Sequence, residues 1–535
     1  MARSVHVRDA LLVIIGAFSF ITLLYFWTSF APIPHRPIVP SGQPHHDSGF
    51  YEEWIPPDGH SIPASKPMNS SRAFGVVHGE KQPRTKVINH APGWTMFDNI
   101  YMSAGTMFVV ADAEQEMVEK DGWYNGYPLR RMMISTGKPA YATEESMKER
   151  EPSDKDLFFI SREEAVSRWG DQVYEIEGHS WLFWEAPQFY SHFYHFVAES
   201  LFGFWAFHAG TLDAHITARG ETTAPLPSRA IFPFCKPENI RDSSKFNMLY
   251  MKAAFPATTL ETSSDWEDRI HFTRDGTRAW RFAHATLGDR SASFRGRICG
   301  LQNQRIAAEA RQVTEARTTR WWWEPIRRAV LRHASVSEEI IDIVINSNAR
   351  FDDAPTTGGI GGEMRSIPKK ETPIVITYIS RQGGRRSLLE DDHIRLVTEL
   401  TRLCEKRGWE FNHVKAQLLT QEEQLALAAK TTVLVGVHGN GLTHLLSMAP
   451  TMLSTVVEIF GKPGFAHDYE WTARTLGMKH YGIWNDTTLE HPHYPEAKTP
   501  EKEFQSSSIP VQGDLVARTI EIRVDSVLSL LQQSD

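Results

Sequence analysis

Four short stretches carry side chains whose types and spacing suit a phosphate-bearing ligand and a proton transfer. In "SRQGGRRSLLE", Arg381, Arg385 and Arg386 surround two glycines. Guanidinium groups grip phosphate oxygens two at a time, although a basic solvated loop reads the same way in isolation. In "VGVHGNGLTH", Gly439 and Gly441 flank Asn440 directly after an apolar run. The glycines let the backbone approach a ligand closely, and a helix from Leu442 turns free N–H groups and a positive dipole end toward an anion. His438 is placed to donate to phosphate or sugar, or else to bond within the turn. The stretch is neither a dinucleotide fingerprint, since His444 stands where a third glycine belongs, nor a P-loop, since no GK[ST] follows. Glu458 closes "STVVEIF" and is placed to accept from ribose hydroxyls. Together these point to a nucleoside diphosphate site. In "SHFYHFVAES", His195 and Glu199 lie four apart and share one helical face, as base and orienting partner or as plain amphipathic packing. A carboxylate pair for a divalent metal is nearly absent: "DKD" at Asp154–Asp156 precedes a strand instead of ending one. No obligatory metal or cofactor is expected.

The elements that must hold these residues alternate. From residue 83 to 300, strands such as "TMFVVAD", "DLFFIS" and "RAIFPF" interleave with helical pieces, predicting an α/β domain with a largely parallel sheet. Residues 301–372 read as a helical connector followed by a flexible loop. Within it, "WWW" at Trp321–Trp323 reads as packing of the connector onto a domain more readily than as a binding platform. From 373 to 505 the order is β-α-β-α-β-α-β-α-β with short loops, a doubly wound Rossmann-like sheet, with Thr420 capping one helix. Residues 506–535 form a last helix, expected to pack back across the interdomain seam.

The rest of the chain sets the context. At 535 residues it suits two domains plus appendages, and 41% hydrophobic residues support a substantial core. A net charge of −8 argues against nucleic acid as a partner. Cys235, Cys299 and Cys404 are too few and too scattered for a disulfide scaffold or a CxxC zinc site. Residues 1–9 read as a cytoplasmic tail. Residues 10–30 carry no charge and end in Tyr25, Phe26 and Trp27, so as a helix of about 31 Å they predict a transmembrane signal anchor. Residues 31–82, with nine prolines between Ala31 and Pro67, read as a stalk. Asn69 and Asn485 stand in glycosylation sequons. The plan is that of a single-pass type II membrane protein of the Golgi or endoplasmic reticulum, with a lumenal body.

Three of these motifs resemble glycosyltransferase family 61. "VGVHGNGLTH…STVVEIF" is similar to the family's "GxHGAGLTN…PG…vvE", with Asn440 for alanine and His444 for asparagine. "SRQGGRRSLLE" resembles its upstream arginine motif, with Leu389 for asparagine. "HFYHFVAE" resembles its "NxxHxxxD", with His192 for asparagine and Glu199 for aspartate. The resemblance implies a GT-B architecture, two facing Rossmann-like domains with the donor in the C-terminal one. It also implies that residues 83–300 are the acceptor-side domain, with inverting, metal-independent transfer from a UDP-sugar, xylose or N-acetylglucosamine being favoured, to a glycan or glycoprotein. By position, Arg381 and Arg386 would hold the pyrophosphate beside His438 and the glycine turn, Glu458 the ribose, and Glu199 or His195 would be the base. The rival reading is a membrane-anchored glycan-binding scaffold that kept the fold.

Overall fold

The computed structural model describes residues 82–111, 119–120, 123–124, 127–213, 215–299, 305–344, 373–500, 504–505 and 508–532. The expected tail, anchor and stalk, the Asn69 sequon and the loop at 345–372 lie outside these residues. Among the described residues, no helix is long and apolar enough to cross a membrane.

The strands run in chain order as β1 (Lys86–Ala91), β2 (Trp94–Ser103), β3 (Thr106–Ala111), the short β4 (Glu119–Lys120), β5 (Trp123–Tyr124) and β6 (Tyr127–Pro128), β7 (Leu157–Ser161), β8 (Val173–Phe183), β9 (Arg229–Ile231), β10 (Thr259–Glu261) and β11 (Ala279–Gly288). A second set follows: β12 (Val375–Ile379), β13 (Glu410–Val414), β14 (Val433–Val437), β15 (Thr455–Ile459), β16 (Lys479–Trp484) and β17 (Thr487–Glu490).

The first large sheet has the order β10-β9-β8-β11-β2-β3-β7, with β1 beside β2. It is mixed, not largely parallel: β2 pairs antiparallel with β1, β3 and β11. The cause is turn length. Ala104 and Gly105 both take positive φ between β2 and β3, a two-residue turn that reverses the chain and leaves no room for a crossover.

The second sheet has the order β13-β12-β14-β15-β16-β17, parallel except for the last pair. Numbered from β12, its parallel strands lie 2-1-3-4-5, so the strand order switches direction between β12 and β14. Ligands in such sheets bind outside the carboxyl ends of the strands at that switch. β12, β14 and β15 are buried at every position, matching their continuous apolar runs. Thr420 caps its helix through a reciprocal box with Glu423.

One hydrophobic cluster spans both sheets, joining Trp181 and Phe183 of the first to Ile379, Leu434 and Val456 of the second. Trp321, Trp322 and Trp323 are each at most 3% exposed and close the seam as packing residues. Trp322 meets Phe202 at 4.6 Å, and Trp323 Nε1 donates to the Leu446 carbonyl at 3.0 Å. The last helix, Gly513–Gln532, does not cross the seam. Its apolar face, Val516, Ile520, Val524 and Val527, lies in the core of the second sheet, and Arg407 pairs with Asp525 across the Glu390–Arg407 helix. A stripe at helical spacing buries against the nearest apolar face, here that neighbouring helix. Cys235, Cys299 and Cys404 are all buried and free.

Candidate active site

A cleft of about 530 Å³ opens at the switch point, lined among others by His192, Tyr194, His195, Arg381, Arg385, Arg386, His438, Gly439, Asn440, Asp468, Tyr469, Phe504 and Gln505. One wall is the helix over Tyr194–Leu201, which is π-helical and runs on as Phe202–Leu212. The wider turn of a π segment often re-aims side chains at functional sites. The opposite wall is built from the loops after β12 and β14, where Arg381 and Gly439 follow the strand ends.

His195 Nδ1 bonds Glu199 Oε2 at 2.6 Å, and that oxygen also accepts from Arg290 Nη1 at 2.7 Å. Arg290 is itself buried, paired to Glu185 and stacked over Phe189 at 4.3 Å. Burial raises the Glu199 carboxyl to about 7 against the pull of Arg290, while burial and Arg290 together lower His195 to about 3. With Glu199 ionised, His195 is therefore neutral, carries its proton on Nδ1 and turns the Nε2 lone pair to the cleft. Glu199 is 1% exposed and does not line the cleft, so direct contact with a substrate falls to His195. The same neutral state holds for His192, lowered to about 4, whose ring lies 4.7 Å from that of His195.

On the other wall, Arg381 Nη1 donates to the His438 carbonyl at 2.7 Å, and Arg386 Nε donates to Gln505 at 2.9 Å while lying 4.8 Å over Phe504. Arg385 is exposed at the rim. Gly439 has φ +144°, and a Cβ there would sit 1.5 Å from Arg381 Nη1, so only glycine admits the guanidinium. The segment after it, Asn440–Ser447, is a 3₁₀ helix. Gly441 packs against Ile379, and Leu442 is buried in the core, so neither side of that step faces the cleft.

One expectation changes here, and two motif positions find their places. Glu458 is fully buried, with one oxygen bonded to His438 Nδ1 and the other to His480 Nε2 at 2.9 Å, so no lone pair reaches a ribose. It orients His438 instead. Asn440 lines the cleft, but its Oδ1 accepts from the Tyr194 N–H at 3.0 Å and so ties the glycine turn to the π helix. His444 sits at the seam, bonded to Gln424 and 5.1 Å from Phe246, and does not line the cleft. The "DKD" carboxylates are likewise committed elsewhere, Asp154 to Arg130 and Asp156 to Ser153. No three His, Cys, Asp or Glu side chains among the described residues are grouped to hold a metal. Asn485 sits in the β16–β17 turn at φ 44°, part-exposed.

Sequence reasoning overlooked Asp468 and Tyr469, which open the helix after β15, and Phe504 and Gln505, which follow β17; none of them stands in a motif. The switch-point rule, applied to loops after every strand, would have flagged the first two.

The family description Glycosyltransferase 61 matches residues 193–457, beginning at the π helix and ending in β15. That segment is a glycosyltransferase family 61 domain. The family segment thus includes His195, Glu199, the three arginines and the glycine turn, and stops before Asp468. An alignment of 136 residues is 32% identical to the EGF domain-specific O-linked N-acetylglucosamine transferase of Drosophila melanogaster, covering 24% of this chain and 24% of that protein. The chain thus spans about a quarter of the length of that curated relative.

Proposed function

We propose that this family 61 protein transfers a sugar from a UDP-sugar to a hydroxyl of a glycan or glycoprotein, with inversion and without a metal, across a GT-B type cleft. The observation that carries the reading is the convergence of a buried His195–Glu199 dyad and two half-buried arginines on one cleft. His195 Nε2 takes the proton of the acceptor hydroxyl as that oxygen attacks the anomeric carbon. The bond to the diphosphate breaks, and Arg381 and Arg386 stabilise the charge that develops on the leaving group. Inversion follows because only one base serves a single displacement. The relative's printed name favours N-acetylglucosamine as the donor sugar; xylose is the alternative.

The test is a panel of UDP-sugars with glycan and glycoprotein acceptors, read as UDP release and acceptor mass, with and without EDTA. Turnover of one donor, unchanged by EDTA, is expected. Glycan binding without turnover of any donor would favour the scaffold instead, and activity lost in EDTA and restored by manganese would refute the metal-free chemistry. We also assign residues 10–30 as a signal anchor that places the body, with glycosylation at Asn69 and Asn485, in the Golgi or endoplasmic-reticulum lumen. Full release from membranes by alkaline carbonate would refute this.

A further inference from the structure

One carboxyl group in the cleft has no role in the chemistry above. Asp468 opens the Asp468–Thr475 helix and lines the cleft. Among the described residues, no side chain forms a hydrogen bond or ion pair with its carboxyl oxygens, while Thr472 Oγ1 donates to its backbone carbonyl. It lies within electrostatic reach of both Glu199 and Arg386. It shares that cleft with His195, Arg381 and Arg386. Tyr469 follows it in the chain and packs on Tyr194 at 4.8 Å, so aromatic rings flank the same spot.

An unpaired carboxyl in a half-buried wall is costly unless a ligand supplies its hydrogen bonds. In single-displacement transfer, the sugar being moved occupies the space between base and diphosphate. Sugar hydroxyls are donors as well as acceptors, which matches a carboxyl group. We infer that Asp468 binds the hydroxyl groups of the transferred sugar and is a specificity-determining residue for the donor. Burial and Glu199 raise its acid equilibrium to about 8, so near neutral pH it is largely the acid, able both to donate and to accept. Its position beyond the family segment, which ends at residue 457, fits a residue that tunes donor choice in this chain. The inference rests on the transferase reading above.

Calorimetry of the full chain with UDP, UDP-N-acetylglucosamine and UDP-xylose, for wild type, Asp468→Asn and Asp468→Ala, separates the two. Wild type should bind its preferred UDP-sugar more tightly than UDP. Asp468→Ala should leave UDP affinity within about twofold and reduce the affinity gained from the sugar by roughly 10- to 100-fold, the usual range for hydrogen bonds to a buried acid. Asp468→Asn, which keeps a donor and an acceptor, should fall between. An equal loss for UDP and UDP-sugar would overturn the inference, because it would place Asp468 at the ribose, the phosphates or the fold. Unchanged affinities for all three ligands would overturn it as well. Failure of wild type to bind any UDP compound would instead overturn the transferase reading, and so the two failures differ.

Discussion

Replacing Glu199 by Gln tests the dyad with almost no change in shape. Two effects can be worked from the structure, and they have opposite signs. For catalysis, the carboxylate that holds the His195 proton on Nδ1 is lost. A glutamine amide can donate to Nδ1 instead, which puts the proton on Nε2 and removes the base from the cleft. Removing a positioned general base costs roughly 10²- to 10⁴-fold in rate. For stability, the acid equilibrium of Glu199 rises from 4.5 to about 7 on folding. At about 1.4 kcal/mol per tenfold, the ionised carboxylate is on the order of 3 kcal/mol costlier in the folded protein. That penalty is absent below pH 4.5, grows as pH rises toward 7, and is constant above. Gln does not ionise, and Arg290 keeps Glu185 as its partner. Glu199→Gln should therefore lose at least a hundredfold in kcat while its melting temperature at pH 8 holds or rises. In wild type, kcat/KM should fall as pH drops through about 7, because the protonated acid no longer fixes the productive tautomer; the variant should lack that acid limb. Steady-state kinetics from pH 5.5 to 9 and thermal melts at pH 5 and 8 measure both. Turnover within threefold of wild type, or an acid limb that survives the substitution, would refute the dyad.

Other predictions concern the opposite wall and the seam. Gly439→Ala should displace the Arg381 guanidinium and weaken UDP binding by roughly 10- to 100-fold, the range for losing a charge-assisted bond, and Arg381→Ala should do the same; equal UDP affinity in calorimetry would show that Arg381 does not touch the diphosphate. Arg385→Ala, at the exposed rim, should change UDP affinity by less than about threefold at physiological salt, since exposed charges are screened. Trp323→Ala removes a buried indole and its bond to Leu446, and should destabilise the protein by about 3–5 kcal/mol in chemical denaturation; a loss below about 1 kcal/mol would mean the seam does not depend on it.

Much of the second half was legible in residue order alone. Apolar runs such as "VITYI", "VLVGV" and "TVVEI" are long enough and β-branched enough to specify buried parallel strands, and caps and glycines mark the helices between them. The strand ends then placed Arg381, His438 and Gly439 near a ligand, because in a parallel sheet those ends share one edge. His195 and Glu199 were legible as a pair because four-residue spacing is a local property. The rest depended on contacts between distant segments. Whether Glu458 meets solvent is decided by His438 and His480 arriving from neighbouring strands, and that arrival buries both its oxygens. Which member of the dyad faces the cleft follows from Arg290, some ninety residues downstream, drawing Glu199 inward. Local sequence determined which groups could do chemistry; the packing of the two sheets decided which of them a substrate can reach, because burial and hydrogen-bond partners come from residues far apart in the chain.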